Sequence, residues 1–155
     1  MRTHHTARIA AAILATGTLL TVATPATAAP RRQAIQIMSI QYDSPGRDNG
    51  SNKSLNAEWV EVQNTGQTRV DLEDWTLSNG DREFEFPEFT LRPGRTVMVH
   101  TGKGYDGEPR NHDLYWGSSK YAWGNDSDTA TLHDDDGRRV DVCEWDGDGE
   151  GWTDC

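Results

Sequence analysis

The sequence has little of three features that would set its class at once: cysteine, basic residues and helical periodicity. Its two cysteines are too few for a multi-disulfide scaffold. No segment after residue 28 repeats apolar side chains at the spacing of an amphipathic helix, which excludes a helical bundle. The 15 basic residues face 25 acidic ones, and such a surface repels phosphate backbones. We therefore expect binding neither to nucleic acid nor to an anionic membrane surface.

Long apolar runs are also scarce, and the longest lies at the N-terminus. Residues 1–28 open with two arginines, continue with the apolar run 9–22 and end in the small residues Ala26-Thr27-Ala28. This pattern is typical of a secretory signal peptide cleaved before Ala29. The run of roughly 14 residues is shorter than the 18 to 20 needed to span a bilayer. The sequence predicts a signal peptide, a linker over residues 29–33, and an extracellular protein without a membrane span after cleavage.

Short segments of alternating apolar and polar residues make up the rest of the chain, separated by turn residues such as Asn-Thr-Gly and Pro-Gly. This pattern predicts an all-β protein, either a sandwich or a barrel. A phase change in the first segment indicates a bulge or a strand buried on both sides. We expect Trp75 to fill the core, and Val140 and Val142 to point inward on the last strand. The predicted strands are Ile35–Tyr42, Glu58–Asn64, Val70–Leu72, Trp75–Leu77, Phe84–Phe86, Thr96–Thr101, Thr129–His133 and Val140–Trp145.

Several of these segments together resemble the lamin tail domain, in the form found in exported bacterial proteins. The resemblance rests on the order and spacing of five motifs, and it covers about residues 34–146. It implies an immunoglobulin-like β-sandwich and no catalytic residues, because the family is defined by its fold rather than by a reaction. The motifs are Leu55-Asn56-Ala57-Glu58-Trp59-Val60-Glu61-Val62-Gln63-Asn64-Thr65-Gly66, Val70-Asp71-Leu72 with Trp75-Thr76-Leu77, Leu91-Arg92-Pro93-Gly94, Val97-Met98-Val99-His100-Thr101-Gly102, and Trp123-Gly124-Asn125 with Asp128-Thr129-Ala130-Thr131-Leu132.

The two cysteines lie close to the C-terminus, and in an oxidising compartment such a pair indicates a disulfide. A Cys143–Cys155 bond closes a loop of roughly 13 residues and contributes about 3 kcal/mol in the chain-entropy model. We expect it to anchor a Gly/Asp-rich tail, residues 147–155, to the domain of residues 34–146. A redox role is disfavoured, because the pair lacks both CxxC spacing and a basic neighbour that would lower a thiol pKa.

One acidic segment near the C-terminus resembles the start of a calcium-binding loop. Asp146, Asp148 and Glu150 alternate with glycines, and hard oxygen ligands at that spacing suit Ca²⁺. The pattern lacks the final bidentate Glu, so a solvated acidic linker is the alternative. Further acidic sets are candidate cation sites or simple turn residues: Asp43, Asp48 and Asn49, with Glu58 as a further candidate ligand; Asp126 and Asp128; and Asp134 to Asp136.

An aromatic cluster in a loop-rich stretch is a candidate binding face. Exposed rings flanked by polar groups suit sugar faces or protein hot spots. The alternative is that the rings fill one end of a sandwich that has few aliphatic side chains. The residues are Tyr105, Tyr115, Trp116, Tyr121 and Trp123.

The function that these patterns favour is a secreted, non-catalytic module that binds protein or cell-envelope glycan through its loops, with calcium as a candidate ligand. His100, His112 and His133 show no metal-hydrolase spacing, and no nucleophile-elbow motif occurs. The alternative hypothesis is a cation-dependent extracellular hydrolase or nuclease accessory protein.

Overall fold

The computed structural model describes residues 34–106, 112–147 and 149–155. The predicted signal peptide and linker lie outside these ranges. Within them, no helix is long and apolar enough to cross a membrane. The elements are β1 Ile35–Gln41, α1 Asn52–Leu55, β2 Trp59–Asn64, β3 Val70–Asp71, β4 Thr76–Ser78, β5 Glu83–Glu85, β6 Thr90–Leu91, β7 Thr96–His100, β8 Asp113–Tyr115, β9 Ser127–His133, β10 Arg139–Asp146 and β11 Trp152–Asp154.

Two main sheets carry the fold. One has the strand order β11-β1-β2-β7-β8 and the other β10-β9-β4-β5, and β3 and β6 form a separate pair. Neighbouring strands are antiparallel except for β7 and β8, which run parallel. The predicted all-β, immunoglobulin-like sandwich is confirmed. The short strand β8 and the one-turn helix α1 were not predicted.

The core lies between the sheets, because alternate residues of each strand point inward. Val60 and Val62 of β2 are buried in this way, as are Leu77 and Leu132 of the facing sheet. Aromatic rings extend through this interior in a continuous series in which neighbouring ring centroids lie 5.0–6.0 Å apart. In order of contact the series is Tyr42, Trp145, Trp123, Trp116, Phe84 and Phe86.

Strand β1 contains the predicted bulge. Ile37 pairs with Val62 whereas Ser39 pairs with Glu61, so Met38 has no partner in the β2 ladder. The extra residue lets Ile37 and Ile40 both face the core, although their spacing would place them on opposite faces of a regular strand.

Strand β10 corrects the predicted orientation of its side chains. A register shift between Arg139 and Asp141 moves the inward positions by one residue. Cys143 and Trp145 are therefore buried, whereas Val142 is 38% exposed and Val140 only partly buried. A one-residue slip exchanges the two faces of a strand, so alternation read without the bulge placed Val140 and Val142 in the core.

Trp75 does not fill the centre of the sandwich as predicted. It is only partly buried and packs against the edge of the core. The central tryptophan is Trp123, which is 3% exposed. Trp75 opens a predicted strand and Trp123 lies in an aromatic stretch interrupted by glycines, so local pattern alone does not show which ring is central.

The C-terminal segment forms a strand rather than a tail after the last strand. β11 pairs antiparallel with β1, with Trp152 opposite Gln41 and Asp154 opposite Ser39. The predicted Cys143–Cys155 disulfide is confirmed, with the two Cα atoms 5.5 Å apart. Because Cys143 belongs to the four-stranded sheet and Cys155 follows β11, the bond joins the two sheets.

Candidate functional site

One end of the sandwich carries all of the longer connections between strands. Gln41, Trp59 and His100 mark this end, because they pair across neighbouring strands of the five-stranded sheet. We call it the loop end, and its described residues are 42–58, 79–82, 101–106, 116–126, 147 and 149–151. The opposite end, called the turn end, comprises segments 65–69, 72–75, 86–89, 92–95 and 134–138.

A buried carboxyl group lies at the base of the loop end. Glu58, just before β2, is 0% exposed, and its Oε2 accepts a hydrogen bond from the Ala122 N–H at 3.0 Å. Burial raises the pKa of Glu58 to about 7 and the Asp48 carboxylate adds to the rise, although bonds from Ala122 and Trp123 oppose it. The Thr101 hydroxyl also lowers this pKa, but Glu58 Oε1 and Thr101 Oγ1 do not meet in a well-formed hydrogen bond.

The loop of residues 116–126, which contains Ala122, is also held by side chains from the four-stranded sheet. Asn79 Nδ2 donates to the Ala122 carbonyl at 2.7 Å, and the Arg82 guanidinium donates to the Tyr121 carbonyl at 2.6 Å. Together with Glu58, these groups hold the backbone of residues 121–122 from both sheets. The loop therefore keeps one position relative to the strands.

Hydrogen bonds from asparagine side chains join helix α1 to the segment after β7. Asn52 and Asn56 donate their side-chain N–H groups to the Lys103 carbonyl at 2.8 and 2.9 Å, and Lys103 N–H donates to Asn52 Oδ1 at 2.7 Å. Gly102 leaves no room for a Cβ, which would lie 2.3 Å from Asn56 Oδ1. Tyr105 extends from this fixed segment and is 95% exposed.

The segment before β11 completes the loop end. The Gly151 carbonyl accepts the N–H groups of Tyr42 and Asp43, both at 2.9 Å. Tyr42 stacks on Trp145 with ring centroids 5.0 Å apart, and Trp145 Nε1 donates to the Gly124 carbonyl at 2.8 Å. Trp152 follows directly and is 43% exposed.

The structure divides the five aromatic residues of the predicted binding face. Trp123 belongs to the core and Trp116 packs against it, so these two rings follow the alternative in which they fill the sandwich. Tyr115 is half-buried and stacks on His100 at 5.2 Å, and Tyr121 is half-buried with its hydroxyl bonded to Ser54. Only Tyr105 is fully exposed. Sequence reasoning missed Trp152, because no strand was predicted over Trp152–Asp154.

Of the predicted calcium ligands, Asp146 and Glu150 lie at or beside the loop end, and neither belongs to a group of three metal-ligating side chains among the described residues. Asp146 and Glu150 are exposed, and Asp148 lies outside the described residues. Asp48 accepts a hydrogen bond from Asn125 Nδ2 at 3.2 Å, which joins segment 42–58 to segment 116–126. Burial raises the pKa of Asp43, and the Asp48 carboxylate adds to that rise.

Other predicted acidic sets act as turn residues. Asp128 accepts the N–H groups of Gly124 and Thr129 at 3.0 and 2.8 Å. Asp134, Asp135 and Asp136 place carboxylate oxygens within 4.8 Å of one another, the one such group of three among the described residues. Asp134, however, accepts the N–H of Arg138 at 2.8 Å, and this bond is the main reason that its pKa is lowered. A turn role therefore accounts for the geometry of both sets.

The fold and these loops define an immunoglobulin-like sandwich whose longer connections lie at one end. The model of the lamin tail domain family matches residues 28–147, and the chain belongs to this family. No curated protein matches the sequence. The match ends before β11 begins.

Proposed function

We propose that this chain is an exported, non-catalytic lamin tail module of a bacterium that binds proteins or cell-envelope glycans through its loop end. One observation carries the proposal. Among the described residues three large apolar side chains are exposed, and two of them lie at or beside the loop end: Tyr105 in segment 101–106, and Trp152 as the first residue of β11. The third, Val142, lies in the middle of β10.

Exposed aromatic rings on fixed loops suit recognition. A tyrosine or tryptophan ring supplies a large contact area, and little conformational entropy is lost when its backbone is already held. Tyr105 follows the segment that Asn52 and Asn56 fix, and Trp152 opens a strand paired with β1. The loop end therefore offers contacts that are already positioned for a ligand.

The arrangement of the histidines supports a non-catalytic role. His100 Nδ1 bonds the Asn56 carbonyl at 2.8 Å and its ring stacks on Tyr115. His112 lies against Phe89, and His133 ends β9 near the turn end. A hydrolytic metal centre needs several such ligands converging on one ion.

The disulfide supports the proposed export, because such bonds persist mainly in oxidising compartments. Protein recovered from the medium of expressing cells should begin at Ala29. Recovery of the chain only inside cells, with its original N-terminus, would reject export.

Binding is tested by capture of the purified protein on isolated cell-envelope material. Tyr105→Ala and Trp152→Ala together should remove about nine-tenths or more of the captured protein, the effect of losing two aromatic anchors. Val142→Ala removes an exposed apolar side chain away from the loop end and is the matched control. Equal capture of both variants would reject the loop end as the binding surface.

A cation-dependent hydrolase or nuclease accessory is the second candidate. It is favoured by the approach of acidic loops, since Asn125 bonds Asp48 and the Asp126 carbonyl lies against Gly147. Calcium should then raise the melting temperature and a chelator should lower it. Incubation with nucleic acid and phosphoesters, with and without divalent ions, tests turnover, and the absence of both effects would eliminate this candidate.

A further inference from the structure

A concave surface beside α1 differs in charge from the rest of this acidic chain. It has a volume of about 450 Å³, and its walls include Arg47 and Lys53 but no acidic residue. We call it the cationic groove, and its lining also includes Pro45, Asn49, Ser51 and Ser54. The whole chain carries a net charge of −10, so two cations in one acid-free concavity depart from its average surface.

The polar groups left open in the groove are mainly hydrogen-bond donors. Neither Arg47 nor Lys53 forms a salt bridge with any residue in the described ranges. Asn49 uses its Oδ1 to accept the Ser51 N–H at 2.9 Å, which leaves its NH₂ group as a donor. Guanidinium, ammonium and amide donors together match the acceptor oxygens of a carboxylate or a phosphate.

The walls of the groove are held in place before any ligand arrives. The Tyr121 hydroxyl accepts the Gly50 N–H at 3.2 Å and lies 2.7 Å from Ser54 Oγ. The Ser44 hydroxyl, which is buried, donates to the Ser54 carbonyl at 2.8 Å. These bonds join the loop before α1 to the loop that Glu58 and Asn79 fix. The groove is thus a built part of the loop end.

The acidic surroundings do not prevent an anion from binding there. Charges farther away than a Debye length, about 8 Å at physiological salt, are largely screened, whereas groups in contact with the ligand are not. Asp48 follows Arg47 directly and keeps its negative charge, but its carboxylate is directed to Asn125 and is not part of the groove lining. Direct contact with Arg47 and Lys53 therefore favours an anionic ligand in the groove.

We propose that the cationic groove binds the carboxylate or phosphate group of an anionic cell-envelope glycan. This rests on the proposed function, because it names the chemistry of the ligand that the loop end recognises. Arg47 and Lys53 bind the oxyanion, Asn49 adds a neutral donor, and Tyr105 and Trp152 offer apolar contacts elsewhere on the same end.

The test is an NMR titration of the isotope-labelled, disulfide-intact protein with three probes: an oligogalacturonide, its fully methyl-esterified neutral form, and inorganic phosphate. The charged oligosaccharide should shift the amides of residues 45–57 saturably, and the neutral form should not. Arg47→Gln with Lys53→Gln should weaken binding by about ten-fold or more, the effect of losing charge-assisted hydrogen bonds. Arg92→Gln with Arg95→Gln, at the turn end, is the matched control and should bind like the unmodified protein.

The proposal is overturned if the groove variant binds as tightly as the control variant, or if the neutral oligosaccharide binds equally well. Phosphate binding as tight as that of the charged oligosaccharide would also overturn it, since the groove would then be a site for free anions. Amide spectra establish that each variant is folded, and Arg47→Lys, which keeps the charge, should retain most of the binding. Groove binding without any envelope capture would reject the proposed function and leave oxyanion recognition standing.

Discussion

The two ends of the sandwich are held by different kinds of contact. At the turn end, Arg95 N–H donates to the Arg92 carbonyl at 3.0 Å, and Asp134 N–H donates to the Arg138 carbonyl at 2.9 Å, so residues a few positions apart close the turns. At the loop end, Glu58 bonds Ala122 across 64 positions and Asn52 bonds Lys103 across 51. The turn end therefore combines local closures with a few longer-range bonds, such as that from Asn64 Nδ2 to the Leu91 carbonyl across 27 positions, whereas these loop-end bonds join segments that lie about twice as far apart in sequence.

This difference supports the proposal that the loop end is the recognition surface. Tight turns with glycine at positive φ, such as Gly94 at 70° and Gly137 at 73°, leave few side chains to vary. Longer segments present more surface, but they need anchors to hold one conformation. Buried polar side chains serve as those anchors here.

Among variants that test the difference between the two ends, the largest loss of stability is expected from the aromatic core beneath the loop end. Trp145→Ala removes a ring that stacks on Tyr42, so we expect a loss of about 3–5 kcal/mol in the free energy of unfolding. Denaturant titration measures it. Trp152→Ala, which removes an exposed ring, should cost far less, and equal losses would contradict the assignment of Trp145 to the core.

Removing the disulfide should have the next largest effect. Cys143→Ala with Cys155→Ala should lower the free energy of unfolding by about 3 kcal/mol, because the unfolded chain regains the entropy of the closed loop. Hydrogen exchange of the β11 amides should accelerate more than that of β9. Uniform acceleration across both strands would indicate that the bond does not specifically hold the edge strand.

Glu58, at the base of the loop end, makes the stability of the protein depend on pH in a defined direction. Its pKa rises from 4.5 to about 7 on folding, so the native state holds the proton more tightly than the unfolded chain. Stability should fall as pH rises from 4.5 to 7, by up to about 3 kcal/mol from this group, and then stay level.

Glu58→Gln should remove this component and stabilise the protein at pH 8, because the amide keeps an acceptor for the Ala122 N–H without a charge. Glu144→Gln, on the exposed face of β10, is the control. Thermal unfolding over pH 4–8 provides the comparison. Identical pH profiles for the two variants would mean that Glu58 is ionised at little cost.

The smallest effect is expected at the turn end. Asp134→Ala removes the acceptor of the Arg138 and Asp136 N–H groups, and the lowered pKa means that its contribution is present near neutral pH and lost in acid. Stability should fall less than in Trp145→Ala or in the double cysteine variant. Amide shifts should be confined to residues 133–139, and changes reaching residues 121–128 would show that the ends are coupled.

Local pattern predicted most strands, because a residue facing the core recurs at every second position. It predicted the bulge in β1 but not the shift in β10, because there valines and a cysteine compete for the inward positions. β8 was missed because it pairs in parallel with β7, so no hairpin turn joins the two strands and marks β8 in the sequence. The five aromatic residues were left between an exposed face and a filled core, and dividing Tyr105 from Trp116 and Trp123 required knowledge of which rings meet across the sheets.

The sequence by itself determined the class of fold and the disulfide, because alternation, turn residues and the presence of two cysteines are local or countable features. Only the tertiary structure decided that Glu58 is buried, that β11 closes an edge of the sheet, and that Arg47 and Lys53 share a groove. These properties depend on contacts between residues tens of positions apart, and such contacts exist only after the chain has folded.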